Sequence, residues 1–341
     1  MATAETVASF LLVSGYLARR IGQAILVVAL AYSVVFFVLN VLPGDPIEQQ
    51  IADPTNPISD DDAAALRAYY RLDQPAYVQF AVSLRRLFSG DLGYSLNTGQ
   101  PVARLLGEAL PSTLTLAAVA FVLAALIGFL LALSAVFGPW APLREAASTL
   151  PALLLSVPAF VSGLLVLQFF SFQLDWMSAI RDEGLRSVVF AAIPLSLPVA
   201  APIAQILTQG LANAAGRPYA EVLRAQGLSS SRIIFGHIVR NGSIPTVTII
   251  AITVGELLAG SIITETVFSR TGIGYLTETA VRNQDTPIIQ AVVLTVSVTF
   301  VVINLLVDLV YPLIDPRIRT TVTTTDPRRV ESGRTVEAAT I

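Results

Sequence analysis

Glu221, Arg224 and His237 fall within "RPYAEVLRAQGLSSSRIIFGHIVRN", a polar stretch from Arg217 to Asn241 set between two strongly apolar parts of the chain. Together with three acids embedded in apolar segments, Glu256, Glu265 and Asp308, they are the residues whose types could do chemistry. The possible chemistry is narrow. The chain has no cysteine, which excludes thiolate catalysis, disulfides and cysteine-based metal sites. It has one histidine, too few for a His-rich metal centre. All 21 basic residues are arginine. A phosphate-binding P-loop needs a lysine to reach the β- and γ-phosphates, so this chain cannot carry one, and Schiff-base chemistry falls with the same absence. No paired intramembrane aspartates offer an acid-based alternative. The polar stretch therefore does not read as a reactive element; a docking element and a plain loop both remain open.

The elements that must position it are apolar. Charged residues make up 13% of the 341 residues, about half the ~25% usual for soluble domains, and this points to an all-α integral membrane protein. A spanning helix needs about 20 predominantly apolar residues. Six segments qualify: Ile21–Leu42, Pro111–Phe137, Ala147–Phe170, Ser187–Leu211, Ser243–Phe268 and Pro287–Pro312. Residues 1–20 form a lead that ends at Arg19-Arg20, with its charge on the wrong side of the apolar run for a signal peptide. A loop domain at 43–110 follows the first span. The core then covers 111–312, interrupted by the polar loop at 213–242, and the tail at 313–341 reads as disordered. Pro194, Pro198 and Pro202 share one face of the fourth span. They fit either a bent packing helix or a mobile pore element.

Arginines in short loops orient such a chain. With the N-terminus inside, cytoplasmic segments hold Arg19, Arg20, Arg144, Arg217, Arg224, Arg232, Arg240 and five tail arginines. The short outer loops hold Arg181, Arg186, Arg270 and Arg282. Both termini and the polar loop are thus expected in the cytoplasm. In the outer domain, Ser59 before three aspartates reads as a helix cap. "PAYVQFAVSLRRLFSG" reads as a second helix between Pro75 and Gly90.

Within the polar loop, Pro218 suits a first helical turn and Gly227 a left-handed C-terminal stop. Tyr219, Val222 and Leu223 follow i, i+3, i+4 spacing and are expected to form one apolar stripe, with Glu221 and Arg224 able to pair beside it. The serines at 229–231 offer caps for a second helix carrying Ile233, Ile234, His237 and Ile238. A compact helix with an apolar stripe suits a partner's groove. A plain loop whose arginines only set topology is the other reading.

"EVLRAQG" resembles the cytoplasmic EAA loop of membrane subunits of binding-protein-dependent ABC importers, which places a Glu six residues before a Gly, as Glu221 and Gly227 stand here. The chain is more specifically similar to the oligopeptide/dipeptide/nickel permease subfamily. The similarity includes Tyr219, Arg224-Ala225, Gly227-Leu228, His237, Arg240-Asn241 and Pro245. It extends to "LPGDP" at 42–46, "LDQPAYVQF" at 72–80, "GDLGYS" at 90–95, "LPSTL" at 110–114 and "SVPAF" at 156–160. "ETVFSRTGIG" at 265–274, "DTPIIQ" at 285–290 and "IDPRIR" at 314–319 complete it. Val222-Leu223 replaces the motif's Ala-Ala, and Thr271 stands where the subfamily usually has Pro.

The resemblance implies a type I ABC importer permease fold of about six spans with no catalytic residue and no cofactor of its own. It implies a second homologous permease subunit, two ATP-binding subunits that use ATP and Mg, an extracytoplasmic substrate-binding protein and a lipid bilayer as partners. Tyr219, Glu221, Val222, Leu223, Arg224, Ala225 and Gly227 would couple to the ATPase. Glu256, near the middle of the fifth span, would line the path or make an interhelical hydrogen bond. Asp308, near the end of the sixth span, reads as interfacial. Glu265 and Asp285 would serve an outer gate or loop. Di- or oligopeptides are the expected cargo, with nickel chelates and oligosaccharides as alternatives. A secondary transporter would need internal repeats, and the two halves show none.

Overall fold

The structure, a computed structural model, describes residues 2–41, 59–179, 181 and 183–314. The "LPGDP" run, the side chain of Asp308 and the tail beyond Ile314 lie outside the described residues. Apart from one isolated bridge between Tyr94 and Pro101, the regular structure among the described residues is helical. The lead and first span form one helix, α1 (Ala2–Val41), and two cap helices follow, α2 (Asp60–Tyr70) and α3 (Ala76–Phe88). Ser59 stands directly before α2, with its carbonyl accepting the Ala63 amide. Pro75 caps α3, and Gly90 at φ +78 ends it.

The long helix α4 (Val102–Phe137) organises the rest. It begins well before Pro111, which sits inside it, so the cap and the second span share one rod of about 54 Å. Its buried face reads Thr113, Leu116, Ala120, Ala124, Gly128 and Ala132, one residue per turn and mostly small. Small residues at this spacing let two helices approach closely in a bilayer, where there is no hydrophobic drive between them. The partner is α7 (Leu185–Ala215), the most enclosed of the apolar helices, which runs unbroken through Pro194, Pro198 and Pro202. A methyl group on Gly128 would lie 2.8 Å from Ile203 Cγ2 and 3.0 Å from the Ala200 carbonyl oxygen.

Three apolar clusters are strung along α4. Val102, Leu106 and Ala109 meet α11 (Ile273–Arg282) and α12 (Thr286–Ile314) at the cap end. Leu116, Ala120 and Ala124 meet α7 and α10 (Ile244–Val267) in the middle. Ala132 meets the far end of α7 and the second helix of the polar loop. The cap and the polar loop therefore occupy opposite ends of the bundle.

The expected third span, Ala147–Phe170, is not one helix. It divides into α5 (Ala141–Ser156) and α6 (Ala159–Gln173, closing in a π-helical stretch), bent by 100°. Pro158 forces Val157 into an extended conformation at ψ 117°, whereas Pro151 is accommodated inside α5. Among the described residues, four helices are long and apolar enough to cross a membrane alone, and up to six spans result if each bent pair counts as one. We expect Gly128→Leu to destabilise the bundle by about 1–3 kcal/mol through overpacking. Thermal unfolding in detergent checks this against Gly107→Leu, which meets open space on the same helix.

Candidate coupling surface, path face and loop anchors

The polar loop folds as two short helices at one end of the bundle. The first, α8 (Pro218–Ala225), closes with Gly227 at φ +81. The Leu228 amide donates to the Leu223 carbonyl and the Gly227 amide to that of Arg224, the paired bonds of a Schellman stop. Residue 227 favours glycine because this left-handed backbone costs other residues roughly 1–2 kcal/mol. The second helix, α9 (Ser230–Gly242), has a π-helical turn at Ile234–Ile238 and meets α10 at a 54° bend. It is pinned to α7 where Gly210 and Gly242 cross so closely that a methyl group on either would strike the other's backbone.

The expected apolar stripe does not face one way. Ala220 is fully buried, and Leu223 packs with Leu228 on the cluster of Leu211, Ile233 and Ile238. Tyr219 is half-buried. Of the three stripe residues, Val222 alone is exposed, at 54%. The free face of α8 presents Glu221, Val222, Arg224 and Ala225. Among the described residues, Glu221 and Arg224 form no ion pair with each other. The reason is topological: α8 has its own bundle to pack on, and half its stripe is used there.

Glu256 lies mid-way along α10 on a face this chain leaves uncovered, in line with exposed Ile252 and Ile263. Among the described residues, Glu256 is exposed. A charge at that depth in lipid costs roughly 2.5–3.5 kcal/mol, so the face calls for water or a polar partner.

Glu265 and Asp285 are anchors. Glu265 is fully buried at the cap end of α10. Its Oε1 accepts from Thr113 Oγ1 at 2.6 Å, and its Oε2 accepts from the amides of Gly274 at 2.7 Å and Tyr275 at 3.3 Å. Thr113 Oγ1 in turn accepts from the Ile273 amide at 2.7 Å. The carboxylate thus caps α11, whose free amides and dipole favour a negative group there. Gly272 and Gly274 are required at this approach, since a methyl on Gly272 would lie 2.3 Å from the carboxylate and one on Gly274 2.4 Å from Ile262 Cα. Asp285, also buried, precedes α12. Its Oδ2 accepts from Ser95 Oγ at 2.5 Å and from the Asn97 amide at 3.2 Å, tying the "GYSLN" turn to the last span. Among the described residues, no group of three or more His, Cys, Asp or Glu is placed to hold a metal ion.

Residues 124–320 match the family described as the inner membrane component of binding-protein-dependent transport systems. The chain belongs to that family. It is 34% identical over 315 residues to the probable peptide ABC transporter permease protein y4tP of Sinorhizobium fredii, covering 89% of this chain and 99% of that one. It is 32% identical over 291 residues to the glutathione transport system permease protein GsiC of Salmonella choleraesuis, covering 85% and 94%. Its fold resembles that of the inward-facing MetNI methionine ABC transporter, with a TM-score of 0.53 at 18% identity over 62% of this chain and 96% of that one.

The chain is accordingly a membrane-embedded permease subunit of an ABC importer, and it works in assembly with other components of such a transporter. ABC permease subunits of this family are not themselves enzymes. The sequence reading missed Thr113, Ser95 and Asn97. Their signal was present in "LPSTL" and "GYSLN", but their carboxylate partners are 152 to 190 residues away along the chain. Glu265→Ala should strand two buried donors, Thr113 Oγ1 and the Gly274 amide, each costing about 1–3 kcal/mol when unsatisfied, and the half-buried Tyr275 amide. A large loss of thermal stability in detergent, with Thr113→Val losing less, is the expected outcome.

Proposed function

We propose that this permease subunit forms half of a translocation path for di- or oligopeptides and takes up ATP-driven motion through α8. The observation that carries the reading is Glu256, held mid-span on a face of α10 that the chain itself leaves bare. A second homologous permease subunit placed against that face would enclose an aqueous path and remove the lipid penalty. Two ATP-binding subunits, using ATP and Mg, would hold α8 in a groove through Glu221, Val222, Arg224 and Ala225. An extracytoplasmic binding protein would deliver the cargo at the cap end. The arginine distribution supports a cytoplasmic location for the α8 end and both termini in the cell membrane. The names of the peptide and glutathione permeases support a peptide cargo, whereas nickel chelates and oligosaccharides have no such support.

Force reaches the bundle because α8 is not a free loop. Leu223 roots it in the cluster that includes Ala132 of α4 and Leu211 of α7, and Ala220 is itself fully buried. The Gly210–Gly242 crossing gives the second helix little room to slide. A displacement of α8 by the ATPase would therefore move α4 and α7 together. ATP must change the relative stability of two bundle states for this to drive transport.

The chain lacks cysteine, so a single introduced cysteine reports its own surroundings. In the assembled importer, Glu256→Cys should react with a membrane-impermeant maleimide while Val122→Cys, on an exposed part of α4, should not. Protection of residue 256 in every nucleotide state would rule out the path assignment. Gly227→Val and Val222→Asp should leave assembly in the membrane intact yet reduce ATP-dependent peptide uptake by tenfold or so, about 1.4 kcal/mol of coupling. Leu223→Asp should lower the stability of the chain itself. Normal uptake by both former variants would reject α8 as the coupling element.

A further inference from the structure

A cavity of about 360 Å³ lies beside the cap, away from both the Glu256 face and α8. Its walls are the cap end of α1, the cap end of α12, and α3 with the turn that follows it. The lining changes character along both spans. On α1 it passes from Tyr32 and Phe36 to Asn40, and on α12 from Leu294 to Gln290. The α1 portion spans about 12 Å of helix. The deeper walls are the Phe36 and Leu294 side chains and the Tyr32 ring, whose hydroxyl pairs with Ser83, and the ionic and amide groups lie where the spans end, among leucines. Such grading fits an amphiphile and suits neither a wholly polar nor a wholly apolar ligand.

The polar end carries one cation and one anion, Arg86 and Asp91. Arg86 stacks on the Tyr69 ring, 3.7 Å from its centroid, and donates to the Tyr69 carbonyl oxygen. A guanidinium has five donors in all, so capacity remains. Asp91 accepts from Tyr69 Oη at 2.7 Å and from the Gly93 amide at 2.9 Å, one bond on each oxygen. Burial and the Asp91 carboxylate push the Tyr69 hydroxyl up to about 12, so it stays a donor at physiological pH. The site is therefore preformed and charge-balanced.

Its location is peripheral. α1 and α12 turn most of their apolar surface outward, unlike α7, while Tyr32, Phe36 and Ala291 are buried where the two spans wall the cavity. Tyr77 and Phe88 of α3 are 71% and 85% exposed, as aromatic side chains are at a membrane interface. We propose that this cavity binds a phosphoethanolamine-headed lipid, its phosphate on Arg86, its ammonium on Asp91 and the upper part of an acyl chain between Phe36 and Leu294. The volume suits a headgroup and the start of a chain. The remaining tails would lie in the bilayer along α1, where Leu30, Val34 and Val38 are exposed.

The test uses the assembled importer in phosphatidylglycerol nanodiscs doped with photoactivatable phosphatidylethanolamine, with crosslinks mapped by mass spectrometry. Labelling is expected on residues 32–40 of α1 or 287–294 of α12. It should fall about tenfold in Arg86→Gln, as for the loss of a charge-assisted hydrogen bond. Leu294→Trp, which fills the apolar half and leaves the cap untouched, should reduce it similarly. Soluble glycerophosphoethanolamine and dialanine should not compete. Undiminished labelling in Leu294→Trp would overturn the proposal. So would competition by glycerophosphoethanolamine, which would make the ligand a soluble headgroup, or by dialanine, which would make the cavity a peptide site.

Discussion

Close contact between α4 and α7 is the constraint on which the rest of the structure depends. In a bilayer, two helices gain little from hiding apolar side chains from each other, because lipid is equally apolar. Association then rests on dispersion over many close atoms and on small residues that permit the approach. The Ala120, Ala124, Gly128 and Ala132 face of α4 meets that need. Because α4 is long, its buried face contributes in turn to the clusters at the cap, in the middle of the bundle and at the α8 end.

The second organising interaction is the buried carboxylate at a helix start. Glu265 caps α11, and Asp285 sits at the entrance to α12 while holding the turn at Ser95 and Asn97. Both acids bring together segments far apart in sequence at the cap end. A carboxylate without partners would be costly there. With two or more donors each, these acids hold the loops between spans in one arrangement relative to the bundle. Glu256 differs because, among the described residues, it stays exposed. That contrast separates two acids that hold the fold together from one on an exposed face.

Much of this organisation was legible along the chain. Apolar runs of spanning length, the Ser59 and Pro75 helix starts and the Gly227 stop all rest on local rules and appear at the expected places. The third span was misread because Pro158 acts differently from Pro151, Pro194, Pro198 and Pro202. In each of the latter cases the helix continues past the proline, whereas at Pro158 the chain turns by 100°. Composition and spacing alone do not distinguish a tolerated proline from a breaking one. The difference lies in whether neighbouring helices restore the missing hydrogen bond.

Membrane residence and the absence of thiol, lysine and multi-histidine chemistry are determined by the sequence itself, because each depends on residue types rather than on their placement. A polar helix bounded by Pro218 and Gly227 is likewise local, since ring geometry and a left-handed φ act on the residue that carries them. Tertiary structure alone decided which side of that helix is free. Val222 and Leu223 are adjacent and similarly apolar, yet Val222 is exposed while Leu223 is packed into the bundle. Periodicity defines an apolar stripe without stating whether this chain or another one will cover it. Here the cluster of Leu211, Ile233 and Ile238 takes half of the stripe and leaves Glu221, Val222, Arg224 and Ala225 exposed.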